Sequence, residues 1–111
     1  MFDMMGMMNK VKEAQAKMKE VQDNLVHVQA EGEAGAGMVR AVVNGKRQVL
    51  RLEVDESLLN PADREMLQDL SVAAVNHALA AVEVKIKEEM KQATQGMLPN
   101  IPGMNFSDMF G

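Results

Sequence analysis

The chain is 111 residues long, enough for one domain but short for burying a large core unaided. It has no cysteine, which excludes disulfides, thiolate metal sites and cysteine nucleophiles; with three Phe and no Tyr or Trp, it also lacks an aromatic platform for stacking single-stranded bases. The formal net charge of −4 runs against the basic balance usual in nucleic-acid binders, but the excess acid lies at Glu31, Glu33 and Glu56, in the last helix and in the tail.

Met4, Met7, Val11, Ala14, Met18, Val21, Leu25 and Val28 alternate spacings of three and four, the narrow seam of a coiled coil. The spacing predicts a helix from about Met7 to His27, with Lys10, Lys12, Glu13, Lys17, Lys19, Glu20 and Asp23 off the seam. Gly32, Gly35 and Gly37 preclude a stable helix and predict a short strand near 29–34 followed by a turn. A phosphate-binding loop would need Lys-Ser or Lys-Thr after the glycines, and Met38-Val39 follows instead.

The runs 38–44 and 46–55 flank Asn44-Gly45, a strong hairpin signal because a two-residue loop needs positive φ at both positions. Such a loop sets Val43 against Lys46, Ala41 against Gln48 and Val39 against Leu50. Val39, Ala41, Val43, Leu50, Leu52 and Val54 then share the expected core face. Arg40, Val42, Arg47, Val49, Arg51 and Glu53 share the other, and a one-residue slip would exchange the two.

Residues 55–59 read as a connector with one short helical turn. Asn60 caps the next helix, Pro61 suits its first position, and Asp63 and Glu65 complement its dipole. A helix from Pro61 to about Gln95 would be about 50 Å long, against a gyration radius of about 13 Å for a compact domain of this size. Its first half, from Leu67 to Val82, is apolar almost all round, so it needs cover on most sides. One three-stranded sheet and one other helix barely suffice, which predicts a homodimer. Pro99, Pro102 and Gly103 mark a flexible tail. The expected organisation is therefore one α-β-β-β-α domain over 1–96, of the α+β class, with a three-stranded antiparallel sheet between two long helices in an intertwined homodimer, and a tail over 97–111.

Catalysis lacks its parts. His77 lies in an alanine-rich stretch and reads as a hydrogen-bonded core residue, and His27 ends the first helix. No metal-ligand spacing occurs, and Ser57, Ser71 and Ser107 have no nucleophile-elbow context. The expectation is a protein that is not an enzyme, with no cofactor, metal or small-molecule substrate. No run of about 18 apolar residues predicts a membrane span, and Met1–Met8 carries no positive charge of the signal-peptide kind, so the expected location is cytoplasmic. Basic residues are the functional candidates: Arg40, Arg47 and Arg51 as one cluster on the outward hairpin face, with Lys46 at the turn. Lys10, Lys12, Lys17 and Lys19 of the first helix would face Lys85, Lys87 and Lys91 if the helices run side by side. The plainer alternative is a solvated surface laced with the pairs Glu13–Lys17, Glu83–Lys87 and Lys85–Glu89.

Several motifs in order carry a resemblance. They are Lys12, Ala14, Gln15 and Met18; Gly32-Glu33-Ala34-Gly35-Ala36-Gly37-Met38-Val39-Arg40; Val43-Asn44-Gly45; Val54-Asp55 with Leu58-Leu59; Glu65–Leu70; Ala73-Ala74 with Asn76 and Ala78; and Lys87-Glu88-Glu89-Met90 with Gly96. Together they resemble the YbaB/EbfC family of nucleoid-associated proteins over almost the whole chain. The resemblance implies a cytoplasmic bacterial dimer with a joint sheet-based core, long helices projecting like tweezers, and double-stranded DNA as partner at the nucleoid. It carries the DNA contacts to the protruding helices, hence to Lys10, Lys12, Lys17, Lys19, Lys85, Lys87 and Lys91. The chain departs from the family in its Met-rich start, which lacks the usual glycines and early basic residue, and at Asn76-His77, where Asn-Asp is common. The expected function is weakly sequence-specific DNA binding that compacts or regulates the chromosome. A dimeric, chaperone-like interaction module using the methionine surfaces is the alternative.

Overall fold

The heptad seam folds as helix α1, Met4–Asn24, in a computed structural model that describes residues 4–94. The helix starts at Met4 rather than near Met7, and Leu25–His27 closes it as a 3-10 turn that buries Leu25. No residue of α1 is fully buried; Ala14, Met18 and Val21 are half-buried, whereas Met4, Met7 and Val11 are exposed.

Strands β1 (Gln29–Ala34), β2 (Val39–Asn44) and β3 (Val49–Val54) form one antiparallel sheet in the order β1-β2-β3. The glycine-rich stretch is a turn, as its composition requires: Gly35, Ala36 and Gly37 all take positive φ, and the Met38 amide donates to the Gly35 carbonyl at 3.2 Å.

The second hairpin corrects the two-residue loop. Neither Asn44 nor Gly45 has positive φ; Arg47 does, at 62°. The Arg47 amide donates to the Asn44 carbonyl at 2.9 Å, and the Asn44 amide to the Gln48 carbonyl at 3.0 Å, so Gly45, Lys46 and Arg47 form a longer loop. Asn44 is buried and holds that loop: its Oδ1 accepts the Lys46 and Gln48 amides at 2.9 and 3.1 Å, and its Nδ2 donates to Gln48 Oε1 at 2.8 Å. Gly45 is required by close approach instead of by φ, since a Cβ there would stand 2.5 Å from the Leu25 carbonyl oxygen. The Gly45 amide donates to the carbonyls of Leu25 and Val28, at 2.9 and 2.8 Å.

The longer loop moves each β3 partner on: Ala41 opposes Leu52 and Val39 opposes Val54. The loop accounts for three residues of that displacement and a bulge between Val42 and Val43 for the fourth, so the total is even and Val39, Ala41, Leu52 and Val54 still share a face. A register shift between Val42 and Val43 then sets Val43 against Val49 and leaves Leu50 as the extra residue. The core expectation fails at this outer strand. Val39, Ala41 and Val43 are fully buried, but Leu50 and Leu52 are exposed and Val54 is half-buried. Val42, expected on the solvent face, is buried on the central strand with Glu31 and Arg51 as its cross-strand partners.

Asp55 caps the 3-10 turn Glu56–Leu58, whose Leu58 is buried. Asn60 caps Pro61–Asp63, its side chain accepting the Asp63 amide at 3.2 Å, and α2 follows over Arg64–Thr94. Ala74, Ala78, Val82 and Ile86 form the buried row of α2. Small residues let the helix backbone reach the sheet: a Cβ on Gly32 would stand 2.1 Å from the Ala78 amide nitrogen and 2.5 Å from the Ala74 carbonyl oxygen. Ala30, Gly32, Val39, Ala41 and Val43 are the buried sheet positions on this side. His77 is not a core residue; it is exposed, with Nδ1 at 2.8 Å from the Glu33 carbonyl oxygen. The chain divides into two compact units, Leu25–Ile86 and a second that combines α1 with the chain from Lys87 on. The tail predicted at 97–111 lies outside the described residues.

Candidate nucleic-acid interface

Lys10 and Lys17 are seven residues apart on α1, as are Lys12 and Lys19, so each pair forms a column along the helix. Within a column the spacing is about 10 Å along the axis. All four lysines are exposed. Lys17 lies 3.9 Å from Glu20, both side chains half in solvent, a pair worth little to stability. Among the described residues Lys10, Lys12 and Lys19 make no ion pair. The expected Glu13–Lys17 pair is replaced by Lys17–Glu20, one turn in the other direction.

The hairpin arginines are arranged differently. Arg40 lies 3.6 Å from Glu33, its cross-strand partner on β1, and Arg51 lies 3.4 Å from Glu53 on its own strand. Arg47 donates through Nε to Glu83 of α2 at 2.5 Å, and that hydrogen bond with the adjacent charge holds its guanidinium above the ordinary arginine value. Arg47 therefore points to α2, apart from Arg40 and Arg51, which flank Glu53 and Val42 on the sheet. Each hairpin arginine faces an acid, which reduces the field it offers to a phosphate.

Two expected helix pairs are also replaced within the Leu25–Ile86 unit. Glu83 turns to Arg47 in place of Lys87, and Lys85 donates through Nζ to the Gln29 carbonyl at 2.5 Å in place of meeting Glu89. Lys87 and Lys91 are exposed on α2 in the same compact unit as α1, whereas Lys85 belongs to the sheet unit. Glu33 and Glu83 are the neighbours that sequence reasoning missed, whereas Glu53 is already expected on the arginine face. The β1–β2 register alone, which puts Glu33 opposite Arg40, would have found the first.

No group of three or more His, Asp or Glu side chains among the described residues is placed to hold a metal ion. No helix there is long and apolar enough to cross a membrane. Helix α1 bears solvated cations, whereas the three hairpin arginines are each paired with an acid.

Comparison with known proteins decides what this arrangement belongs to. A model of the YbaB/EbfC DNA-binding family matches residues 1–97. The chain belongs to this family. Among YbaB/EbfC-like relatives, a nucleoid-associated protein of Granulibacter bethesdensis is 46% identical over 92% of this chain and 94% of its own length. A nucleoid-associated protein of Agrobacterium fabrum is 44% identical over 94% of this chain and 96% of its own. The fold is shared with an uncharacterized protein of Helicobacter pylori at a TM-score of 0.65 and 21% identity, covering 89% of this chain and all of that one.

Proposed function

We propose that this protein binds double-stranded DNA through backbone phosphates, with weak sequence preference, and acts at the bacterial nucleoid. Membership of a DNA-binding family and the names of its relatives support this reading. The observation that carries it to particular residues is the pair of exposed lysine columns on α1, a helix with no fully buried side chain. A solvated ammonium on a flexible stem reads phosphate charge and not base identity. Lys10, Lys12, Lys17 and Lys19 are therefore the leading contacts, and Lys87 and Lys91 of α2 belong to the same compact unit. Lys85, Arg40, Arg47 and Arg51 are secondary, because each is held by a partner within the Leu25–Ile86 unit.

The binding unit in this reading is a homodimer. Val49, Leu50 and Leu52 of β3 and Met66 and Val72 of α2 are 43–62% exposed in one copy. Together they are more apolar side chains than a single soluble subunit usually leaves in water. A second subunit covering the outer strand and the uncovered side of α2 would remove them from solvent.

Fluorescence anisotropy with a duplex probe at two salt concentrations tests the DNA reading. Affinity should fall steeply with salt, with a slope near 0.9 per phosphate contact. Replacing Lys10, Lys12, Lys17 and Lys19 together by Gln should weaken binding to all sequences and flatten that slope. Wild-type protein that leaves the probe unbound at low salt refutes the proposal.

A further inference from the structure

The seam of α1 is covered unevenly. Ala14, Met18 and Val21 are half-buried, while Met4, Met7, Met8 and Val11 are 53–65% exposed. The uncovered end forms a surface groove of about 450 Å³ lined by Met4, Met7, Met8, Val11, Lys12 and Gln15. Four of those six side chains are apolar, and the polar ones stand at one end of the row in sequence.

We propose that the C-terminal segment of this same chain, residues 95–111, lies along this methionine groove. Three observations converge on that occupant. The first is position: α2 ends at Thr94 in the compact unit that also contains α1, and Ala93 in its last turn is buried. The chain therefore leaves its last helix inside the unit whose remaining seam is bare. The second is reach. Residues 95–111 reach at most about 56 Å at about 3.3 Å per residue, whereas α1 is about 30 Å long. The third is chemistry. The segment contains Met97, Leu98, Ile101, Met104, Phe106, Met109 and Phe110, with Asp108 and no Lys or Arg. Its two phenylalanines suit a thioether-lined surface, where sulfur–aromatic contact is favourable. Pro99 and Pro102 work against a continued helix and suit an extended strap. Asp108 is opposite in sign to Lys12 at the groove and to Lys10 beside it.

A second copy's α1 is the competing occupant. A helix pair of that kind needs three or four heptads of open seam, and the exposed stretch from Met4 to Val11 offers about one. A tethered segment also acts at an effective concentration in the millimolar range, without needing a tight intrinsic affinity.

The chain has no cysteine, so two thiols can be placed at will. The full-length double variant Met8→Cys with Phe106→Cys is oxidised at several dilutions and read by mass and non-reducing electrophoresis. A bond within one chain, formed equally at every dilution, is expected. No bond between the two positions, a bond between them that joins two chains, or self-linking of the single variant Met8→Cys overturns the proposal. A second readout does not depend on one chosen pair. Peroxide converts accessible methionines to sulfoxides. In the full-length variant Ile101→Ser/Phe106→Ser/Phe110→Ser, Met7 and Met8 should oxidise several-fold faster than in wild type. Equal rates in the two proteins refute the docked segment.

Discussion

A single hydrogen atom at Gly32 sets how closely α2 can approach the sheet. Any Cβ there would drive into backbone atoms of Ala74 and Ala78, which cannot swing away as a side-chain tip can. Gly32→Ala should therefore destabilise the fold by about 3 kcal/mol, the upper range for overpacking a core, read as a lowered urea midpoint. Asp55 acts through charge instead. It accepts hydrogen bonds from the Ser57 hydroxyl and amide, and these hold its carboxyl below the ordinary carboxylate value. A depressed folded-state value means that the contribution is present above the unfolded value. It is lost as pH falls through the folded one. The acid limb of the stability curve below about pH 4 should therefore be shallower in Asp55→Ala, measured by thermal unfolding across acidic buffers.

At the level of elements, the helices and strands were legible because each is written in its own period. The seam of α1 and the break at Gly32–Gly37 gave the right elements, while Asn60-Pro61 starts a 3-10 turn, Pro61–Asp63, that leads into α2 at Arg64 in place of the first turn of α2 itself. The β2–β3 loop did not. Asn44-Gly45 signals a tight turn only if its own backbone takes positive φ. Here that role passes to Arg47, while Gly45 is kept for its approach to Leu25. Nothing local in the sequence announces that contact with Leu25. The candidate site was half legible for a related reason. Lysines on a helix can be placed from spacing, but whether an arginine is free depends on cross-strand register, which decided Arg40, and on a helix distant in sequence, which decided Arg47. Asn44 is the strut of this loop, with its side-chain oxygen and nitrogen both engaged while buried. Asn44→Ala leaves the Lys46 and Gln48 amides without their acceptor and should cost about 2 kcal/mol, measured by chemical denaturation.

For the whole molecule, the uncovered strand β3 and the outer side of α2 bear on assembly. Light scattering on dilution should give the mass of two chains, and Leu50→Lys with Leu52→Lys should shift it to one while weakening duplex binding, since two lysine-bearing helices become one. A folded single-chain species in dilute wild-type protein would remove the dimer. The Asn44-Gly45 pair also sets how the molecule ages. Asn-Gly is the dipeptide most prone to deamidation, in which the glycine amide nitrogen attacks the asparagine side-chain carbon and ammonia leaves. In the folded chain that nitrogen is committed to the Leu25 and Val28 carbonyls, and the asparagine side-chain amide is held by Lys46 and Gln48 of its own loop. Succinimide formation must then wait for the hairpin to open, so the rate of isoaspartate accumulation at this one site becomes a slow clock that counts unfolding events.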